Sequence, residues 1–171
     1  LATAGLMAVL AISARTALGP AEAAAPDPTE RCCRDLRTPG SGYAVDLEGW
    51  TISDLGNDSF TIEGSLPMAA GGRIVLGRST DAAGGGVDYV YGGSMTLANS
   101  ADAIIIAFEG KMVDMVAHDA GFPFAAGRSL ELDDSWLGPE DNDAVAAWCP
   151  ALPSMATGNY GSPGTGPAPC P

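Results

Sequence analysis

The chain has 171 residues, of which 46% are hydrophobic and only 17% charged, with a formal net charge of −13 at pH 7. That apolar content excludes wholesale disorder, and the length allows one domain with a leader and a tail. Of the eight basic residues, Arg15, Arg31, Arg34 and Arg37 lie in the first 37 positions, leaving only Arg73, Arg78, Lys111 and Arg128 beyond them. So acidic a surface argues against nucleic-acid binding, because counterion release needs clustered Lys and Arg against the phosphates. An acidic surface also keeps an exported protein soluble.

Leu1 to Ile12 (LATAGLMAVLAI) is an apolar run of export-signal length, too short to span a bilayer. Ala11-Ile12-Ser13 and Ala21-Glu22-Ala23 offer the small residues a signal peptidase reads. Residues 1–25 are therefore read as a signal peptide truncated at its start, and the predicted location is extracytoplasmic, secreted or at the cell envelope. No Cys lies directly behind the run, which gives a lipoprotein anchor no support. Residues 26–35 form a linker or an aberrant segment, since Pro blocks helix propagation and Ala and Glu offer little to bury. Cys32, Cys33, Cys149 and Cys170 allow three disulfide connectivities and lack metal-ligand spacing. Pairing Cys149 with Cys170 would pin the Pro/Gly-rich tail, residues 150–171, back onto the domain.

From Leu36 onward, short apolar runs alternate with Gly, Asp and Asn clusters, the pattern of an all-β domain. Strands are predicted over 49–53, 59–63, 73–78, 87–91, 103–109, 112–118 and 129–133. Thr51-Ile52 and Phe60-Thr61-Ile62 carry β-branched and aromatic types. Ile104-Ile105-Ile106 is a continuous apolar run, as in a central strand buried on both faces. Glu109-Gly110 predicts a tight hairpin, with Gly supplying a positive φ. Met112, Asp114, Val116 and His118 share one face of the following strand, and Val113, Met115 and Ala117 the other. Asp143 to Trp148 has room for one helical turn.

Val45-Asp46-Leu47-Glu48-Gly49-Trp50 opens a strand in a way that resembles the lamin tail domain family, in particular its bacterial secreted type. Other pieces agree in order: Leu36-Arg37-Thr38-Pro39-Gly40, Pro67 to Leu76 (PMAAGGRIVL) and Leu97 to Asp102 (LANSAD). Val113-Asp114-Met115-Val116, Arg128-Ser129-Leu130-Glu131 and Asp141 to Trp148 follow. The resemblance covers residues 36–149 and implies an immunoglobulin-like β-sandwich that serves as a binding or scaffolding module. It implies a core position for Trp50, burying on the order of 200 Å². Gly49 is expected where a turn leaves no room for a Cβ. Asn99 and Asp102 are expected to bracket a turn by accepting backbone N–H groups. Nothing resembles the family's first strand, and Arg31-Cys32-Cys33-Arg34-Asp35 stands in place of its second. Either that stretch is a frame or gene-boundary artefact, or one sheet lacks an edge that a partner strand can fill.

Catalytic chemistry is sparse. His118 is the only histidine, which excludes multi-His metal sites, and no Gly-x-Ser-x-Gly elbow positions a nucleophile beside it. A structural place at a strand end is expected for it. Asp133, Asp134, Asp141 and Asp143 are the candidate Ca²⁺ ligands, without EF-hand spacing; a solvated acidic loop is the competing reading. Gly84-Gly85-Gly86 is a hairpin loop and satisfies no dinucleotide fingerprint. The expected function is a non-catalytic, exported module with no cofactor, binding a protein or envelope component. A calcium-dependent adhesion module and a small secreted metal-dependent phosphoester hydrolase are the alternatives.

Overall fold

The structure, a computed structural model, describes residues 10–11, 44–82, 86–98, 100–155, 158–165 and 170–171. Within them the regular structure is β, apart from a 3-10 turn at Val145–Ala147 and 3-10 backbone at Ala82. The strands in chain order are β1 (Leu10–Ala11), β2 (Val45–Asp46), β3 (Thr51–Ser53), β4 (Ser59–Thr61), β5 (Pro67–Met68) and β6 (Val75–Gly77). They continue with β7 (Tyr89–Val90), β8 (Asp102–Phe108), β9 (Lys111–His118), β10 (Leu130–Leu132) and β11 (Trp148–Pro150).

The largest sheet is antiparallel, in the order β4-β3-β8-β9. Two further antiparallel pairs are β2–β5 and β10–β11. A third small sheet has the order β1-β6-β7, with β1 antiparallel and β7 parallel to β6. One apolar cluster joins the large sheet to β5 and β6, with no residue from β10–β11: Ile52 and Ile106 from the large sheet, Met68 from β5 and Leu76 from β6, with Leu47, Trp50 and Ile62. The arrangement is all-β, with several antiparallel sheets around a shared core, consistent with a β-sandwich.

Local chemistry explains the order. Ile52 and Ile106 are cross-strand partners, and both are buried because alternation sends them to the same side. Ile104 also reaches the core, whereas Ile105 is half-buried, so β8 is central in its sheet without being fully covered on both faces. The β8–β9 hairpin turns on Glu109 and Gly110, at φ 50° and 74°. Both signs fit a two-residue turn of the type whose twist matches antiparallel strands. Gly therefore supplies only half of the left-handed backbone, and a glutamate carries the rest. Val113 lacks a partner in the ladder, because Asp114 pairs with Ile106 and Met112 with Ala107. This bulge shifts the alternation expected along β9 and leaves Met112 exposed.

Three further departures have simple causes. β2, β5 and β11 are two or three residues long, too short to show a period. The helical turn expected at Asp143 to Trp148 is a 3-10 turn of three residues, and Trp148 already begins β11. Gly49 is required by its φ of 81°; a Cβ there would only touch Phe108 at an ordinary 3.8 Å, so space is not the reason. Leu10–Ala11, inside the segment read as a leader, pairs with Val75 and Leu76 of β6.

The tail is folded back onto the domain. Cys149 and Cys170 form a disulfide, with Cα atoms 5.7 Å apart across 21 positions, and closing a loop of that size is worth about 3 kcal/mol. Tyr160 receives the Arg128 guanidinium on its ring face at 3.9 Å and exchanges backbone bonds with Gly127 and Ser129. Asn99, Gly84, Gly85, Cys32 and Cys33 lie outside the described residues. Glu109→Asn, which seats a residue tolerant of the left-handed region beside Gly110, is expected to raise the unfolding free energy by about 0.5–1 kcal/mol in urea. An unchanged or lowered value would contradict the turn geometry.

Candidate functional site

Aspartates dominate the chemistry of the loops. Asp46 at the end of β2 accepts N–H groups from Glu48 at 3.1 Å and Leu66 at 2.8 Å, and the Ser65 hydroxyl at 2.6 Å. These bonds, the Ser65 hydroxyl first, hold its carboxyl below the usual aspartate range. One side chain thereby ties the turn before Trp50 to the segment entering β5. Trp50 closes the turn through Trp50 N–H to Leu47 O at 3.1 Å and stacks on Phe108 with ring centroids 5.4 Å apart.

The same use of carboxylates recurs. Asp54 accepts from Gly56 and Asp58, Asp58 from Thr96, and Asp88 from Val75. Asp102 accepts from Ala98 and Ala103, as expected for a turn bracket, and Asp119 accepts from Gly121. A strand of two or three residues satisfies few backbone donors, and these side chains supply the missing acceptors.

The four candidate Ca²⁺ ligands do not share one environment. Asp133 is buried at 9% exposure, and its two oxygens accept from Ser135 N–H and Cys170 N–H, each at 2.8 Å. Those bonds, Ser135 first, lower its pKa. Asp134 is half-buried, while Asp141 and Asp143 are exposed. Among the described residues no three His, Cys, Asp or Glu side chains converge in a way that could hold a metal ion.

A neighbouring polar contact joins Asn142 to β9. Asn142 is buried at 6% exposure and donates through Nδ2 to Asp114 on β9 at 2.8 Å, while its own Oδ1 has no partner. Burial raises the Asp114 pKa, opposed by the bonds from Asn142 and Met115. Trp148 Nε1 donates to the Asn142 backbone carbonyl at 2.7 Å, which fixes this segment beside β9. No residue pattern in the sequence marks this pairing, because its partners lie 28 positions apart.

His118 ends β9, opposite Asp102 in the ladder. It is 8% exposed, and Phe122 and Phe124 meet its ring edge-on at 6.1 and 5.4 Å. Its Nδ1 is buried without a partner. Burial lowers the imidazole pKa, against the opposing pull of Asp102 and Asp119. Apart from it, an apolar notch is lined by Ile52, Phe60, Leu76, Tyr91, Met95 and others, and encloses about 10 Å³. That is room for no more than one water, far short of an organic ligand.

Because the folded state lowers the His118 pKa, the unfolded chain binds more protons between the two values. Stability is then full above the ordinary imidazole pKa and falls as the pH drops from there through the lower folded value. His118→Leu removes both the orphaned Nδ1 and the titration. The variant is expected to melt no lower than the parent and to lose the parent's decline in Tm as the pH falls below about 6.5. An undiminished decline in the variant would assign it to other groups.

No family model, curated protein or solved structure matches the chain.

Proposed function

We propose that this is an exported, non-catalytic domain of the lamin-tail type, an immunoglobulin-like β-sandwich that binds or scaffolds at the cell envelope or outside the cell. The observation that carries the reading is how the carboxylates are used. Asp46, Asp54, Asp58, Asp88, Asp102 and Asp133 accept backbone N–H groups of their own chain. The acidic groups with most chemical potential are thus engaged in holding loops, and the sole imidazole is packed between Phe rings.

Three features support the family and location. The Val45–Trp50 turn and the pieces that follow it keep the order of the lamin tail pattern. The Cys149–Cys170 bridge suits an oxidising compartment. Among the described residues no helix is long and apolar enough to cross a membrane, which agrees with a leader that is removed or a domain held by its partner.

The full chain, expressed with its apolar N-terminal segment in a bacterial host, is expected in the extracytoplasmic fraction. Purified, it should leave bis-p-nitrophenyl phosphate at the background rate with Mg²⁺, Mn²⁺ or Ca²⁺, and Ca²⁺ should not move its Tm. Cytoplasmic retention, or a metal-dependent turnover abolished by Asp133→Asn, would contradict the proposal. A Tm that rises with Ca²⁺ would favour the adhesion alternative.

A further inference from the structure

We infer that the outer edge of β6 is an acceptor site for an extended apolar strand, filled by the chain's own Leu10–Ala11 until that segment is removed. β6 is buried along its length, with Val75 at 3% and Leu76 at 1% exposure. Its two edges can be told apart by their bonds. Val75 N–H donates to Asp88 Oδ2 at 2.8 Å, and Val75 O accepts from Asp88 N–H at 2.8 Å. Gly77 O accepts from Tyr91 N–H at 3.0 Å. Val75 and Gly77 therefore face β7. Alternation along a strand then turns the N–H and C=O of Leu76 to the opposite edge. That is the edge on which Leu10 stands directly opposite Leu76 in antiparallel register.

Other strands manage their exposed edges differently. On β9, the Met115 N–H is taken by the neighbouring Asp114 carboxylate, which Asn142 holds in place. Such inward use of a charge discourages pairing with another chain. β6 has no carboxylate on its β1 side among the described contacts, and its backbone is satisfied there by a strand. Leu76 also belongs to the central apolar cluster, so a strand laid on this edge extends the sheet directly over the core.

The occupant's chemistry follows from the present one. Leu10–Ala11 lies in an uncharged, proline-free run, Gly5 to Ser13 (GLMAVLAIS), and such segments pair readily in extended form. If this run is an export leader, a step that rests on the proposed function, its cleavage takes β1 away and leaves the Leu76 N–H and C=O without partners. A buried edge so exposed is a template for β-augmentation. The fitting partner is an extended, uncharged segment with a large aliphatic residue opposite Leu76 and a small one opposite Val75. Backbone hydrogen bonds supply the affinity, and this register supplies the selection.

Amide hydrogen exchange on the full chain tests this. Leu10→Pro removes the N–H that faces Leu76, and Leu10→Asp is a second disruption without a backbone constraint. In both, the Leu76 amide is expected to exchange at least about tenfold faster than in the parent, while the Ile106 amide keeps its protection. A synthetic peptide of residues 6–15 should restore Leu76 protection, and the same peptide carrying Pro in place of Leu10 should not. Equal Leu76 protection in parent and variants overturns the proposal, as does an exposed edge that the peptide fails to protect. Should the substitutions unfold the chain, the unmodified protein decides. There the Leu76 amide exchanges as slowly as Ile52 if β1 closes the edge, and as fast as exposed Leu55 if it does not. Either failure leaves the non-catalytic, exported reading standing, since that reading falls on turnover or cytoplasmic retention.

Discussion

Asp46 fixes the turn on which the domain is built, through three bonds from one solvent-facing carboxylate. Two of them reach Ser65 and Leu66, some twenty positions on, and the third closes on Glu48. With those loops held, Gly49 adopts its left-handed backbone and Trp50 swings inward against Phe108. Ile52 then enters β3 in register with both Phe60 and Ile106, which joins β3 to its two neighbours, β4 and β8. Loss of that turn would uncouple β2–β5 from the large sheet, because Leu47 and Met68 reach the core from the same two segments.

The same device answers a general problem of this chain. Most of its strands are two or three residues long, so the ladders leave many backbone donors to loops. Where such a donor is partly buried, as at Val75, Ser135 and Cys170, leaving it unmet costs about 1–3 kcal/mol, and aspartate, short and doubly accepting, meets the need without occupying core volume. A net charge of −13 is thus partly structural. This changes the meaning of the acidic composition: it describes how loops are held before it describes what the surface attracts. The sheet edges differ accordingly: β6 carries the β1 strand, and on β9 the Asp114 carboxylate takes the Met115 N–H.

Sequence made some of this legible. Trp50 as a core anchor and the β8–β9 hairpin could be read from side-chain type and from Glu109-Gly110. The local carboxylate turns also leave a trace, an Asp followed two positions later by Gly or Ser, as at Asp54-Leu55-Gly56, Asp119-Ala120-Gly121 and Asp133-Asp134-Ser135. The longer links leave none. Asp58 to Thr96, Asp133 to Cys170 and Asn142 to Asp114 depend on which loops the fold brings together. Likewise the Cys149–Cys170 pairing was one of three possible connectivities until the tail was seen against Asp133. The Ca²⁺ candidates stand out by their density along the chain, yet burial divides them.

The most direct test of this account is a residue-resolved titration of the carboxyl groups by NMR, followed alongside Trp50 fluorescence. A group whose folded pKa lies below its unfolded value contributes fully at neutral pH and is lost as the pH falls through the folded value. Asp46 and Asp133 are therefore expected to keep their charge below the ordinary aspartate range, and Trp50 to become exposed only as they protonate. Asp46 titrating in the ordinary range, with Trp50 still buried after it has done so, would contradict the central role given to that carboxylate.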